Sequence, residues 1–222
     1  MTARTFERPL DVRSFTVGPF QENSYLVRRG GSDRALFVDP GDEAPRLLQA
    51  IEELGVELDA ILVTHTHIDH VGAVAPLAKA TGAEVWVPEV ERPVLADINR
   101  FVPWPDLGPF ESWEAEHTLA GGEKLELAGL EIEVIFTPGH SPGHVTFSIP
   151  AAEAVFSGDV LFRGSVGRTD LPGGDWPTLL RSIGTLLDKL PGATTVYPGH
   201  MGITDLGTER ASNPFLVELS RG

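Results

Sequence analysis

The apolar run Ala60-Ile61-Leu62-Val63 ends in Thr64-His65-Thr66-His67-Ile68-Asp69-His70, so three histidines and an aspartate fall within six residues. The whole chain holds seven histidines. Buried imidazoles need hydrogen-bond partners, and exposed ones gain nothing by crowding. A metal site accounts for this spacing better than packing does. It also constrains the fold, because the remaining ligands must be brought to the same place from distant stretches of chain.

The pattern around this segment alternates strand and helix. Residues 12–17 and 24–28 are strand-like, and "RALFVDPG" ends a third strand at a turn. Residues 43–54 place Leu47, Leu48, Ile51 and Leu54 on one helical stripe. "DAILVT" is a short buried strand, residues 72–80 read as the next helix, and "AEVWVP" as another strand. Later come strand-like "KLELAG", "LEIEVIFTPG", "HVTFSIP" and "AEAVFSGD". Asp175 is placed to cap a helix running to about Leu190, with Pro177 in its first turn. The strand "TTVYPGH" and a short helical segment close the chain. The alternation predicts an α/β architecture. We expect a single domain over residues 1–222, in two halves joined near the Pro- and aromatic-rich stretch 101–113.

Composition narrows the function. The chain has 222 residues and a net charge of −15, from 32 acidic and 17 basic side chains. Such a field disfavours nucleic acid and anionic membranes, and no Lys/Arg cluster reverses it locally. No apolar run reaches ~18 residues, which argues against a membrane span, and "MTARTFERPLDVRSF" has no apolar leader region. There is no cysteine, hence no disulfide, thiolate ligand or cysteine nucleophile. The expected location is cytoplasmic.

Three more ligand-type side chains follow apolar strands in Gly-containing turns: His140 in "TPGHSPGH", Asp159 in "FSGD" and His200 in "YPGH". Strand ends of α/β sheets are where sites are built. With His65, His67, Asp69 and His70 they make seven nitrogen and oxygen ligands, suited to Zn²⁺ or a similar borderline metal. Seven are too many for one tetrahedral ion. They fit two ions, about 3.5–4 Å apart, that share a carboxylate and leave a position for water.

These motifs, with "NSYLV", "FVDPG", "GSVGRTD" and "ERASNPFL", resemble the metallo-β-lactamase superfamily, and within it the short bacterial glyoxalase II-like hydrolases. The resemblance implies an αβ/βα four-layer sandwich. It assigns His65, His67 and His140 to a first metal, Asp69, His70 and His200 to a second, and Asp159 to a bridge. It implies Zn²⁺, with Fe or Mn²⁺ as other occupants. The implied reaction is hydrolysis of a glutathione-derived thioester such as S-lactoylglutathione by a metal-activated hydroxide, with Asp69 orienting the nucleophile. Arg168 in "GSVGRTD" stands where this family places a basic side chain against a glutathione carboxylate; a salt bridge to Asp170 is its other reading. The chain ends short of the helical extension that gives glyoxalase II further glutathione contacts, so weak binding of glutathione is expected. The same resemblance admits a persulfide dioxygenase with one non-haem iron on His65, His140 and Asp159. Asp39 is expected to tie a turn near the ligands, His144 to support them, and His117 to be a surface residue.

Overall fold

The computed structural model describes residues 10–102 and 107–216, so Trp104 lies outside the described residues. Two compact units divide them: 10–120 with 126–130, and 121–125 with 131–216. The described residues of the Pro-rich stretch 101–113 belong to the first unit.

In the first unit, β1 (Leu10–Val17), β2 (Glu22–Arg29), β3 (Arg34–Val38), β4 (Glu57–Leu62), β5 (Glu84–Pro88) and β6 (His117–Leu119) form one sheet in chain order. β1, β2 and β3 pair antiparallel, and β3 to β6 run parallel. Ala35 to Val38 on β3 and Ala60 to Leu62 on β4 are all buried, the continuous apolar pattern of strands covered on both faces. Helices α1 (Ala44–Leu54), α2 (Ile68–Val71), α3 (Val74–Thr81) and α4 (Arg92–Ala96) complete the unit. α1 buries Leu47 and Ile51, one turn apart, against Phe37 and Ile61 in the core. It stops at Gly55, in the left-handed region at φ 60°, where the Gly55 and Val56 N–H groups return to the Glu52 and Ile51 carbonyls. The helix expected over 72–80 begins at Val74, because the Ala73 N–H is taken by the Pro40 carbonyl and the chain turns there.

A second sheet, ordered β14-β13-β10-β9-β8-β7, lies in the second unit except for residues 126, 127 and 130. Its strands are β7 (Lys124–Leu127), β8 (Leu130–Phe136), β9 (Val145–Ile149), β10 (Ala154–Gly158), β13 (Thr195–Pro198) and β14 (Thr204–Asp205). β11 (Leu161–Phe162) and β12 (Ser165–Val166) form a separate hairpin. α5 (Trp176–Lys189) is capped by the Asp175 carboxylate, which accepts the Thr178 N–H at 2.9 Å. Its Leu179, Ile183 and Leu186 pack on Val155 and Val196. In α6 (Leu206–Ser212), buried Glu209 accepts from the Gly164 N–H, the Thr204 hydroxyl and the Asn213 amide. Asn213 also donates to the Ser165 carbonyl. "ERASN" therefore holds the β11–β12 turn. No helix among the described residues is long and apolar enough to cross a membrane.

Candidate functional site

Four of the seven expected ligands lie in the first unit, on the segment that leaves the carboxyl end of β4. Asp39, at the matching end of β3, braces that segment. Its carboxylate accepts the Thr64 N–H at 2.7 Å, the Thr64 hydroxyl at 2.6 Å and the His70 Nδ1–H at 3.0 Å. Three donors hold this buried carboxylate, which ties the turn as expected for Asp39. The Thr64 hydroxyl hydrogen points at Asp39, so toward His65 Nδ1, 3.1 Å away, its oxygen accepts. Both His65 and His70 thus carry their proton on Nδ1 and present Nε2 as a lone pair. A metal-ligating histidine is oriented in this way by its other nitrogen. His67 Nδ1 lies 3.1 Å from His65 Nε2. Asp69 is half-buried, and its carbonyl presses on Gly41, where a Cβ would stand 1.7 Å away.

Two buried acids in this unit had no signal in the sequence. Glu91 accepts the Thr66 N–H at 2.5 Å and the Thr66 hydroxyl at 2.9 Å, clamping the middle of the histidine segment from 25 residues away. Glu22 accepts from the Ser24 hydroxyl, which itself accepts the Gly41 N–H. Burial pushes the Glu22 carboxyl well above the usual range, with His70 opposing and Asp39 adding to the rise.

The other three ligands lie in the second unit. His140 follows Gly139, whose φ of +127° brings the backbone against α5, where a Cβ would meet the Leu179 nitrogen at 2.2 Å. His140 Nδ1 is 2.8 Å from the Arg168 carbonyl, which can only accept, so Nδ1 carries the proton and Nε2 the lone pair. That Nε2 lies 3.5 Å from Asp159 Oδ2, and His200 Nε2 lies 3.5 Å from the same oxygen. Donor atoms bound to one tetrahedral ion at about 2.1 Å stand about 3.4 Å apart. The spacing, the lone pairs and the borderline N/O donor set fit a divalent metal on each side of Asp159. His144, the supporting residue, is fully buried: its Nε2 accepts the Asp159 backbone N–H at 3.1 Å, and its Nδ1–H reaches the Thr137 hydroxyl at 3.1 Å. It fixes the backbone that carries the Asp159 carboxylate.

Of the two readings of Arg168, the structure shows the salt bridge to Asp170, and it adds a backbone contact to His140. Its guanidinium is exposed and grips Asp170 through two hydrogen bonds at 2.6 and 2.7 Å, which hold the Asp170 carboxyl down at about 2. Its carbonyl orients His140. The preceding Gly167 lets the loop approach, since a Cβ there would stand 1.9 Å from the Asp159 carbonyl. His117, expected at the surface, is half-exposed on β6, stacked on Trp86 at 3.9 Å and paired with Glu84 at 2.6 Å.

Residues 17–200 match the family model described as the metallo-beta-lactamase superfamily. The hydroxyacylglutathione hydrolase GloC of Haemophilus influenzae is 38% identical over 220 residues, covering 93% of this chain and 98% of its own. Among solved structures, TTHA1623 in a di-iron-bound form is 44% identical, with a TM-score of 0.82 over 92% of this chain and all of its own. The BLEG-1 B3 metallo-beta-lactamase is 35% identical, with a TM-score of 0.88 over 93% of this chain and all of its own. The matched span runs from the end of β1 to His200 and takes in every proposed ligand, so the chain belongs to the metallo-β-lactamase superfamily.

Proposed function

We propose that this chain is a metal-dependent hydrolase of thioesters, with S-lactoylglutathione the leading substrate. In this reading His65, His67 and His140 hold one ion, Asp69, His70 and His200 hold a second, and Asp159 bridges them. The observation that carries it is the Asp159 oxygen placed 3.5 Å from Nε2 of both His140 and His200. The relative named hydroxyacylglutathione hydrolase supports the substrate class, and the di-iron form of TTHA1623 supports two ions.

Bound divalent metal would supply Lewis acidity and lower the pKa of a water toward neutrality. The chain's own groups do the rest. Asp39 and the Arg168 carbonyl keep His70 and His140 in the tautomer that exposes Nε2, and His144 keeps Asp159 in place. In this reading the half-buried Asp69 carboxylate accepts a hydrogen bond from the attacking water and orients it. The departing thiolate needs little protonation, so no dedicated acid is required. Arg168 would meet a substrate carboxylate by exchanging it for Asp170.

Metal analysis of the purified protein, with S-lactoylglutathione hydrolysis and O₂ uptake on glutathione persulfide, tests this reading. About two ions per chain with thioester hydrolysis and no O₂ uptake is the expected result. One iron per chain with O₂ consumed would replace it by the dioxygenase.

A further inference from the structure

The β11–β12 hairpin of the second unit carries a cation that the proposed ligand set does not use. Arg163 stands at its turn with an exposed side chain. Every other described Lys and Arg of this unit holds an acid or a hydroxyl. Arg163 has no such partner among the described residues. Acidic side chains outnumber basic ones by 32 to 17, so partners are plentiful, and the hairpin keeps this guanidinium away from them. Glu209, the carboxylate bonded to the hairpin, is buried and already engaged. It accepts from the Gly164 N–H at 2.9 Å, the Thr204 hydroxyl at 2.6 Å and the Asn213 amide at 2.8 Å. Asn213 also holds the Ser165 carbonyl at 3.0 Å. The turn is therefore fixed while its guanidinium stays outside the network. That turn lies against the segment of a proposed ligand. Phe162 sets its ring edge-on to His200, with centroids 5.8 Å apart. The Arg163 side chain lies over Gly202, where a Cβ would stand 3.7 Å from both Cδ and Nη1. Two residues of chain span about 7 Å at most, so the guanidinium sits within about 12 Å of the His200 Cα.

We infer that Arg163 is a substrate anchor, taking a carboxylate of the thiol carrier while the acyl end lies at the ligands. The inference rests on the thioesterase reading above and deepens it, by naming a residue that selects the carrier. A tripeptide reaches about 10 Å, which matches the distance from His200 to this guanidinium. Glutathione is of that length and has two carboxylates, and Arg168 offers a guanidinium to the other. The two arginines differ in readiness. Arg168 must first release Asp170, which it holds through two hydrogen bonds. Arg163 has no acid to release, so its contact with an incoming carboxylate is the stronger one.

The test measures binding of S-methylglutathione, a thioether that is not a substrate, to the metal-loaded protein by calorimetry. Its diethyl ester, which lacks both carboxylates, is titrated beside it. Arg163→Ala should weaken S-methylglutathione by about 10-fold and bind the diethyl ester as the wild type does. The kcat/KM preference for S-lactoylglutathione over S-lactoyl-N-acetylcysteamine should fall by the same factor. Combined with Arg168→Ala the losses should multiply, since the two guanidinium groups answer different carboxylates. Metal content and melting temperature, measured alongside, exclude misfolding. Unchanged S-methylglutathione binding in Arg163→Ala, or an equal loss on the diethyl ester, overturns the inference, as does a wild type that does not bind S-methylglutathione. A 10-fold loss of binding in a protein whose wild type hydrolyses neither thioester upholds the anchor and overturns the thioesterase reading instead.

Discussion

Single residues carry two kinds of duty in this site, and substitutions separate them. Arg168 acts through its carbonyl on His140 and through its guanidinium on Asp170. Arg168→Ala removes only the second, so metal content should hold while KM for S-lactoylglutathione rises by roughly 10-fold, the effect of one partly exposed charge-assisted contact. Gly167→Ala does the opposite. Its Cβ has no room beside the Asp159 carbonyl and would displace the loop that orients His140. Metal analysis of the two variants should show normal loading in the first and loss in the second; equal loading would detach that loop from the metal. Asp39→Ala should weaken metal binding by about 10- to 100-fold, the usual cost of losing a ligand's supporting partner. His117→Ala should leave loading and turnover unchanged, since its partners are Trp86 and Glu84.

At the scale of elements, α5 is the clearest link between stability and site. Its first turn packs on Gly139, next to His140, and Asp175 both caps the helix and donates its N–H to the Gly139 carbonyl. Hydrogen bonds from the Thr178 hydroxyl and N–H hold the Asp175 carboxyl below its ordinary 3.8. A carboxyl depressed in the folded state adds stability above its unfolded pKa and loses it as pH falls through the folded value. Asp175→Ala should therefore melt below the wild type near pH 7, with the gap narrowing as pH falls below the ordinary 3.8. Thermal scans at the two pH values check this. A gap that did not narrow in acid would mean that the carboxyl's charge contributes nothing.

The whole molecule carries −15 charges, and its proposed ligands come from both compact units. A cation that binds only the folded ligand set stabilises it by mass action, about 4 kcal/mol at a thousand times its Kd. For a chain of this size that is about 10 °C in Tm. Chelation by EDTA should lower Tm by about that amount and abolish thioester hydrolysis, and Zn²⁺ or Fe²⁺ should restore both. Scanning calorimetry with and without chelator measures it. An unchanged Tm with full turnover after metal removal would exclude the metal from the account.

The sequence by itself determined most of the elements and pointed to the candidate ligands, because both are local properties. Periodicity marks α1, α5 and the buried strands, Asp175 announces its cap, and three histidines within six residues have few uses other than ligation. The family followed from the same motifs and their order. What the sequence left open depends on contacts across long separations. Nothing in the spacing places Glu91 under Thr66, Glu22 beneath Gly41 or His144 behind Asp159. The Arg168 side chain looked like the informative group, yet its carbonyl is what orients His140, and a backbone atom has no letter in a sequence. Packing decided these points, since burial leaves a polar group only the partners that the fold brings within about 3 Å.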